Sequence, residues 1–265
     1  MKLPILEFYN EEGVINKETY IANEKDAFEN MHFIQDYNID TALMFFIKDN
    51  KIPDDIRKDL QDFYVYKFGS NENIVYIYKK KFIFAIAPLG EPASAGLMEE
   101  LGFMGITKFY ACGTCGLIDE NIDSSRFLLV ERAIRDEGLS FKYEKPALYT
   151  YTDKELTNKL EEYLKNKDFN HEKITTWTTD CAYRETPSMI KKRLKQGAST
   201  VEMECAGWCS VAKFRNYQFT QLLYSSDVTK QGAWEGFKSK EERQQARLKI
   251  LYMLLEFISD FVKNK

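Results

Sequence analysis

The segment Gly197–Asp227 constrains the fold of this chain more than any other. Its hydrophobic period changes twice. Ser199-Thr200-Val201 is typical of a strand, the apolar residues after Glu204 are typical of a helix, and Thr220–Tyr224 is typical of a second strand. A strand, a helix and a strand in so short a span form the repeating unit of α/β proteins. The segment therefore predicts an α/β fold.

Three acidic side chains stand where these elements change. Glu202 and Glu204 flank Met203 at the end of the first strand, and Asp227 closes the second. Carboxylates at strand ends lie at the edge where open α/β sheets bind ligands. Glu204 could equally be a capping carboxylate on the first turn of the helix. Spacing alone leaves both interpretations of Glu204 open.

The rest of the chain continues the alternation. Thr186 and Pro187 are typical of the N-cap and first residue of a helix. These patterns predict one three-layer α/β/α domain over residues 1–265, built on a central mixed, mostly parallel twisted sheet. The apolar runs predict strands at 42–47, 64–68, 74–78, 81–87, 108–112, 126–130 and 173–178, and helices at 54–60, 153–165 and 241–262.

Two glycine-containing turns are predicted after neighbouring strands. Gly90 follows the strand at 81–87, and Gly113 and Thr114 follow the strand at 108–112. Glycine lets the backbone approach a ligand closely, and exposed N–H groups at a helix start attract anions. Two such turns at adjacent strand ends could line one anion pocket, with the Thr114 hydroxyl as a donor. Ordinary β-turns are the alternative.

The overall composition argues against several classes of partner. The chain has 37 basic and 41 acidic residues, so it has no general attraction for nucleic acid or anionic membranes. No apolar run approaches the length of a membrane span, and the N-terminus lacks the apolar core of a signal peptide. Hydrophobic residues make up 44% of the chain, enough for a sizeable core. We expect a cytoplasmic protein.

Cysteine and histidine offer little for metal or redox chemistry. Cys112 and Cys115 form a C-x-x-C pair, but no second pair has the spacing of a zinc site. The five cysteines are odd in number, and there are only two histidines. We expect buried thiols and no metal centre. Chemistry would then depend on carboxylates and backbone dipoles.

The motifs together resemble one family. VEMECAGWCSVAKF followed by LLYSSD resembles the signature of the nucleoside phosphorylase and nucleosidase superfamily, of the purine/uridine phosphorylase type. TTDCAYRET lies at the position of that family's base-pocket segment, and PLGEPASAGLMEELGFMGITKFYACGTCG resembles its two phosphate-side turns. RDEGLS is similar to a segment of the uridine-cleaving branch, and EERQQARLK to the last helix of the purine enzymes. The resemblance covers about residues 80–262, and residues 1–40 match weakly.

The resemblance implies a role for each matched residue. Glu204 would accept hydrogen bonds from the ribose hydroxyls, Met203 would pack on the sugar, and Glu202 would orient that site. Asp227 would protonate the purine N7 as the glycosidic bond breaks, and Arg243 would pair with Asp227. The other implied contacts are Tyr183, Trp177 and Asp180 to the base, and Gly90, Gly113 and Thr114 to phosphate.

The activity that the resemblance implies is reversible phosphorolysis of ribonucleosides, with purines preferred, to free base and ribose 1-phosphate. Inorganic phosphate would be the co-substrate, and no cofactor would be needed. We expect a nucleoside and phosphate as the only ligands, with no nucleic acid or membrane partner. Family members complete each pocket with a neighbouring subunit, so we expect a homo-oligomer, either a dimer or a trimer of dimers.

Departures from the family pattern keep three alternatives open. Ala111 stands where the phosphorylases usually carry an arginine, and an arginine is a bidentate phosphate ligand that backbone N–H groups replace only in part. Hydrolysis by water is therefore the first alternative. A uridine-type phosphorylase is the second. A family member that binds a nucleoside without cleaving it is the third.

Overall fold

The strands and helices form mostly where the hydrophobic pattern predicts them. The computed structural model describes residues 4–24, 26–230 and 233–263, so the ends of the predicted 1–265 domain lie outside the described residues. The helices are α1 Lys17–Asn23, α2 Ala27–Asp36, α3 Asp54–Arg57, α4 Glu91–Met104, α5 Ser140–Tyr143, α6 Lys154–Asn166, α7 Pro187–Lys195, α8 Cys205–Arg215 and α9 Lys240–Lys263. The strands are β1 Thr41–Phe45, β2 Leu60–Phe68, β3 Asn71–Tyr78, β4 Phe82–Ile86, β5 Lys108–Leu117, β6 Phe127–Asp136, β7 Tyr149–Tyr151, β8 His171–Thr179, β9 Ala198–Glu202, β10 Gln218–Lys230 and β11 Ala233–Phe237.

The strands form one mixed sheet whose two faces are both covered by helices. Along β1, Ala42 and Met44 point into a core that includes side chains of α4 and α8. Leu43 and Phe45 point into a second core that includes side chains of α6 and α9. This alternation is the period of a strand buried on both faces. Around β1 the arrangement is the predicted helix–sheet–helix sandwich.

The three-layer description is incomplete for the rest of the sheet. β10 pairs with both β5 and β6, and the remaining neighbours run β6–β8–β9–β5, so these five strands close into a ring. Six of the eleven pairings between described strands are antiparallel, which corrects the prediction of a mostly parallel sheet. Tight hairpins are one reason: Lys79 and Lys80 both have positive φ in the turn that joins β3 to β4.

β5 shows a second difference from the sequence-based expectation. The predicted turn at Gly113–Gly116 is part of the strand, which continues to Leu117 and pairs there with β9 and β10. Gly113 is required by packing, because a Cβ at this position would lie 2.8 Å from Cδ2 of Phe46. The absent side chain thus makes room for an aromatic ring, and the backbone does not turn.

β10 extends beyond the predicted strand in the same way. Asp227 is the predicted end of this strand, but the following residues complete β10 and form β11, although residues 231 and 232 between them lie outside the described residues. β-Bulges interrupt β10 between Ser225 and Asp227 on the β5 side. Among the described residues, no helix is long and apolar enough to cross a membrane.

Candidate functional site

A cavity of about 590 Å³ opens where several strands end. Its walls come from residues at or just after the carboxyl ends of β1, β4, β5, β9 and β10, and from the loop after β8. This is the edge of an α/β sheet at which ligands bind. The lining residues include four carboxylates, and a rim of apolar side chains surrounds the mouth. The carboxylates are Glu185, Glu202, Glu204 and Asp227, and the rim includes Leu89, Tyr183, Trp234 and Phe237.

Glu204 lies at the start of α8, but its carboxylate does not cap that helix. Its Oε1 accepts a hydrogen bond from the N–H of Gly90, 2.7 Å away on the loop before α4. Gly90 has φ of +89°, a conformation that glycine adopts without strain. The bond joins residues 114 positions apart and holds Glu204 against the cavity wall.

Glu202 takes the capping role that the sequence left open for Glu204. Its Oε2 accepts from the N–H groups of Glu204 at 2.8 Å and Cys205 at 2.7 Å. Its Oε1 accepts from the hydroxyl of Thr178 at 2.5 Å. Glu202 therefore fixes the turn from β9 into α8 and determines where Glu204 stands.

Burial makes Glu204 an unusual carboxyl group. The residue is only 5% exposed. Burial, and then the neighbouring charge of Glu202, raise the pKa of Glu204 to about 8, against the opposing effect of the N–H groups of Gly90 and Met203. Glu204 is therefore ready to receive hydrogen-bond donors from a ligand, because they would replace the water that it lost on folding.

A β-bulge brings Asp227 into the cavity. Ser226 and Asp227 are consecutive yet both line it, which a regular strand does not allow. Asp227 accepts from the Ser226 hydroxyl at 2.6 Å and from the indole N–H of Trp234 at 3.0 Å. A Cβ on Gly116 would lie 3.3 Å from Asp227 Oδ2 and 3.0 Å from Val201. Gly116 thus leaves space for the acid.

Glu185 is a cavity carboxylate that the sequence-based reasoning missed. It follows the short 3₁₀ turn Ala182–Arg184 and precedes the N-cap Thr186. Burial, and then the charge of Asp227, raise the pKa of Glu185 to about 7. In the sequence, the signal for Glu185 is its place in the TTDCAYRET segment, where Tyr183 rather than Glu185 is the predicted base contact.

Two residues predicted to contact the base lie elsewhere. Trp177 is fully buried within the fold, and its Nε1 donates to Asp136 at 3.0 Å. Asp180 accepts from the N–H of Gly138 at 3.0 Å and so ties two loops together. Neither is among the described residues that line the cavity. Tyr183, the third predicted base contact, does line it and is fully exposed at its mouth.

Arg243 does not make the predicted pair with Asp227. Its Nε donates to the carbonyl of Lys238 at 3.1 Å, and its guanidinium lies 5.2 Å from the ring centre of Phe237. Among the described residues, no ion pair joins Arg243 to Asp227. The β10–β11 hairpin explains this arrangement, because it places Trp234 beside the carboxylate.

The predicted phosphate contacts are also arranged differently. The N–H of Gly90 is engaged by Glu204, and Gly113 is buried inside β5. Thr114 lines the cavity. Among the side chains that the structure describes, those of residues 4–24, 26–229 and 233–262, no lysine or arginine lines the cavity. The cavity wall of the described chain is therefore strongly acidic.

A second, larger concavity of about 690 Å³ lies between β6, β8 and α6. Its charged groups are largely used within the fold: Lys173 pairs with Glu131 and Glu161, and Arg132 donates to Thr175 and stacks on the ring of Tyr149. This concavity also lies away from the strand ends that carry Glu202, Glu204 and Asp227. We therefore take the smaller cavity as the functional site.

The chain is similar in sequence to two curated proteins. The chain is 27% identical over 131 residues to a guanosine phosphorylase of Halorubrum lacusprofundi, covering 47% of this chain and 52% of the relative. It is 26% identical over 149 residues to the uncharacterized protein R802 of Acanthamoeba polyphaga mimivirus, covering 56% and 57%. The chain thus spans about half the length of these curated relatives.

A solved structure shares the fold. The futalosine hydrolase mutant of Helicobacter pylori strain 26695 superposes with a TM-score of 0.65 at 14% identity, covering 83% of this chain and 98% of that one. The family model described as the Phosphorylase superfamily matches residues 50–259. Members of this family are enzymes that act on nucleosides, as phosphorylases or hydrolases. That match covers most of the chain and every acid of the cavity, and the chain belongs to the phosphorylase superfamily.

Proposed function

We propose that this protein cleaves the N-glycosidic bond of a nucleoside and that water is the nucleophile. The observation that carries the proposal is one cavity lined by two pairs of acids, Glu202 with Glu204 and Glu185 with Asp227. We assign the first pair to the sugar and the second to the base. Breaking this bond leaves positive charge on the ribose and negative charge on the base. Carboxylates near the sugar and a proton donor near the base each stabilise one half of that separation.

At the sugar end, Glu204 accepts hydrogen bonds from the ribose 2′- and 3′-hydroxyls. Gly90 occupies one of its two oxygens with a single bond, and each carboxylate oxygen accepts more than one. Met203 lines the cavity beside it and packs on the sugar. Glu202 acts through Glu204, because its own oxygens accept from the backbone and from Thr178.

At the base end, Asp227 and Glu185 supply and hold the proton that the leaving base needs. Asp227 is fixed by Ser226 and Trp234, while Glu185 carries a pKa of about 7 and therefore keeps a proton on part of the molecules at neutral pH. A group that titrates near the working pH is suited to proton transfer. The N7 and amino groups of a purine provide the acceptor and donors that such a pair requires.

The charge of the cavity favours water over phosphate. A phosphate anion would meet the carboxyl groups of Glu185, Glu202, Glu204 and Asp227, and no lysine or arginine with a described side chain lies on the wall to bind it. Water carries no charge and needs no such cation. It adds its oxygen to C1′, one proton goes to the base, and ribose is released.

Phosphorolysis is the second candidate. The similarity to a guanosine phosphorylase supports it, and a neighbouring subunit of a homo-oligomer can contribute the missing cations. The apolar rim supports such an assembly, because Leu89 is 75% exposed and Phe237 63% exposed at the mouth. We propose a homo-oligomer on this ground, and light scattering that gives a monomer at micromolar concentration contradicts it.

Product analysis with and without phosphate tests the proposal. Purine and pyrimidine ribonucleosides are incubated with the protein in phosphate-free buffer, and free base and sugar are measured. We expect base release at an undiminished rate without phosphate, with ribose as the sugar product. Release that requires phosphate and yields ribose 1-phosphate replaces hydrolysis by phosphorolysis. Binding without release of any base contradicts both reactions.

A further inference from the structure

A third pair of acids lies beneath the cavity and takes no part in its lining. Glu91, the first residue of α4, is 1% exposed, and Glu137, just after β6, is 5% exposed. The two carboxylates are in side-chain contact. Glu91 directly follows Gly90, whose N–H holds Glu204. The pair therefore adjoins the residue on which the proposed sugar site depends.

The contacts of Glu91 leave one oxygen without a donor. Its Oε1 accepts from the N–H of Gly207 in α8 at 2.7 Å. Its Oε2 is buried and has no hydrogen-bond donor among the described residues. A Cβ on Gly207 would lie 2.8 Å from Cδ of Glu91, so this glycine makes room for the carboxyl group. The site is built around Glu91, yet it leaves Oε2 facing another acid.

Glu137 is satisfied on its own side. It accepts from the N–H of Ser140 at 2.8 Å and from the Ser140 hydroxyl. These contacts bind Glu137 to the start of α5 and leave no donor for Glu91.

The charged groups around the pair offset its charge only in part. From β6, the guanidinium of Arg135 attracts both acids, but its hydrogen bonds go to the Ser140 hydroxyl and to the carbonyls of Glu144 and Lys145. From β9 and α8, Glu202 and Cys205 face Glu91, and Glu202 adds a further acidic group. Two buried carboxylates in contact, with no directly bonded cation, cannot both be ionised at acceptable cost.

We propose that Glu91 and Glu137 share one proton and that this protonated pair is a positioning element for Glu204. The proton gives Oε2 of Glu91 a hydrogen bond to Glu137. Through Gly207 and Ser140 the pair then joins α4, α8 and the β6–α5 segment. That junction sets the position of Gly90 and so of the N–H that holds Glu204. Burial and the nearby Glu137 raise the pKa of Glu91 well above its usual range, which agrees with a retained proton.

Substitution by glutamine tests the shared proton independently of any activity. In Glu91→Gln the amide oxygen accepts from Gly207 and the NH₂ group donates to Glu137, as the shared proton does. The folded wild type holds a proton that the unfolded chain releases, so wild-type stability falls as pH rises above the ordinary pKa of Glu. We expect the melting temperature of Glu91→Gln, relative to wild type, to rise steadily from pH 5 to pH 9.

Glu99→Gln is the matched control. Glu99 lies on the same helix and is 8% exposed, but it is paired with Arg215 at 2.7 Å. Its removal should lower the melting temperature at neutral pH, because Arg215 loses the charge of Glu99 and keeps only its contact with the exposed Glu12 among its described acidic partners. Infrared difference spectra should show the band of a protonated carboxylic acid lost in Glu91→Gln and kept in Glu99→Gln. A Glu91→Gln variant that behaves like Glu99→Gln overturns the shared proton.

The positioning role rests on the proposed function and is tested separately. Glu91→Leu leaves the Gly207 N–H without an acceptor and removes the proton shared with Glu137, so kcat/KM should fall roughly tenfold, whereas Glu91→Gln should keep the wild-type value. Loss of activity in both variants, or in neither, overturns the positioning role. Should the wild type cleave no nucleoside, the proposed function fails, and the stability and infrared results still decide whether the proton is shared.

Discussion

The two acid pairs of the cavity share a division of labour but differ in how they are held. In each pair one acid accepts bonds from nearby donors: Glu202 at the sugar end and Asp227 at the base end. The other acid has fewer donors and a pKa raised into the neutral range, to about 8 for Glu204 and about 7 for Glu185. Each pair thus combines a fixed acceptor with a group that titrates near physiological pH.

The two pairs differ in the groups that hold their carboxylates in place. The sugar pair is buried and fixed by backbone N–H groups of β9, α8 and the Gly90 loop. The acids at the base end, Glu185 and Asp227, are partly exposed and depend on side chains from a 3₁₀ turn and a hairpin. Every ribonucleoside has the same sugar, whereas bases vary. A rigid sugar site beside an adaptable base site is the arrangement expected for enzymes that diversify in base preference.

The largest expected effect on cleavage comes from substituting an acid at the base end of the cavity. Asp227→Asn removes the fixed acid, and nucleoside cleavage should fall about 10²-fold or more, the usual scale for a general acid. Nucleoside binding should stay within roughly tenfold, which calorimetry can measure. Ser226→Ala is the control, because it removes one donor to Asp227 but leaves the acid. Cleavage that is unchanged in Asp227→Asn removes this residue from the mechanism.

The next effect tests the sugar pair on substrate. Glu204→Gln replaces one of the two carboxyl oxygens by an NH₂ group that cannot accept a hydrogen bond, and kcat/KM for a ribonucleoside should fall roughly 10-fold to 100-fold. The variant should also distinguish less between a ribonucleoside and its 2′-deoxy analogue, because the lost bond is to that hydroxyl. If the ratio of the two substrates stays the same as in wild type, Glu204 does not contact the 2′-hydroxyl.

Substitution of the two acids at the sugar end, Glu202 and Glu204, should change the free energy of unfolding in opposite directions. Glu202→Ala leaves two N–H groups and the Thr178 hydroxyl without an acceptor and should lower the free energy of unfolding by about 2 kcal/mol. The folded-state pKa of Glu204 is raised, so its proton is released on unfolding, and the stability of the wild type declines between about pH 4.5 and about 8.

Glu204→Gln removes that decline, so denaturant unfolding should show a gain over wild type that grows across the same pH window. A gain that is constant with pH would show that Glu204 is already ionised in the folded protein at low pH. Either result also shows whether Glu204 is protonated before the ligand binds.

The smallest expected effect concerns Trp234, the residue of the β10–β11 hairpin that donates a hydrogen bond to Asp227. Trp234→Phe keeps an aromatic ring but removes the N–H that donates to Asp227 at 3.0 Å. One lost hydrogen bond to a charged group at a partly exposed site should lower kcat by about fivefold, with little change in the melting temperature. A rise in KM that exceeds the fall in kcat would place Trp234 on the substrate instead.

Much of this arrangement could be predicted because its signals are local. Apolar periodicity located β1, β4, α6 and α9, and Thr186 accepts from the N–H of Met189 as the predicted N-cap. Gly113 was misread for a physical reason: a glycine in a sequence signals either a turn or a close contact. Only the packed ring of Phe46 distinguishes the two.

The sequence by itself determined the order of the main elements and the placement of Glu204 between β9 and α8, since periodicity and capping act within a few residues. Tertiary structure decided the closure of the ring, the bond from Gly90 to Glu204, and the meeting of Glu185 and Trp234 at Asp227. These contacts depend on strand order, register and a bulge, which arise from the packing of the whole chain. The acidity of the site likewise became visible only when distant carboxylates met in one cavity.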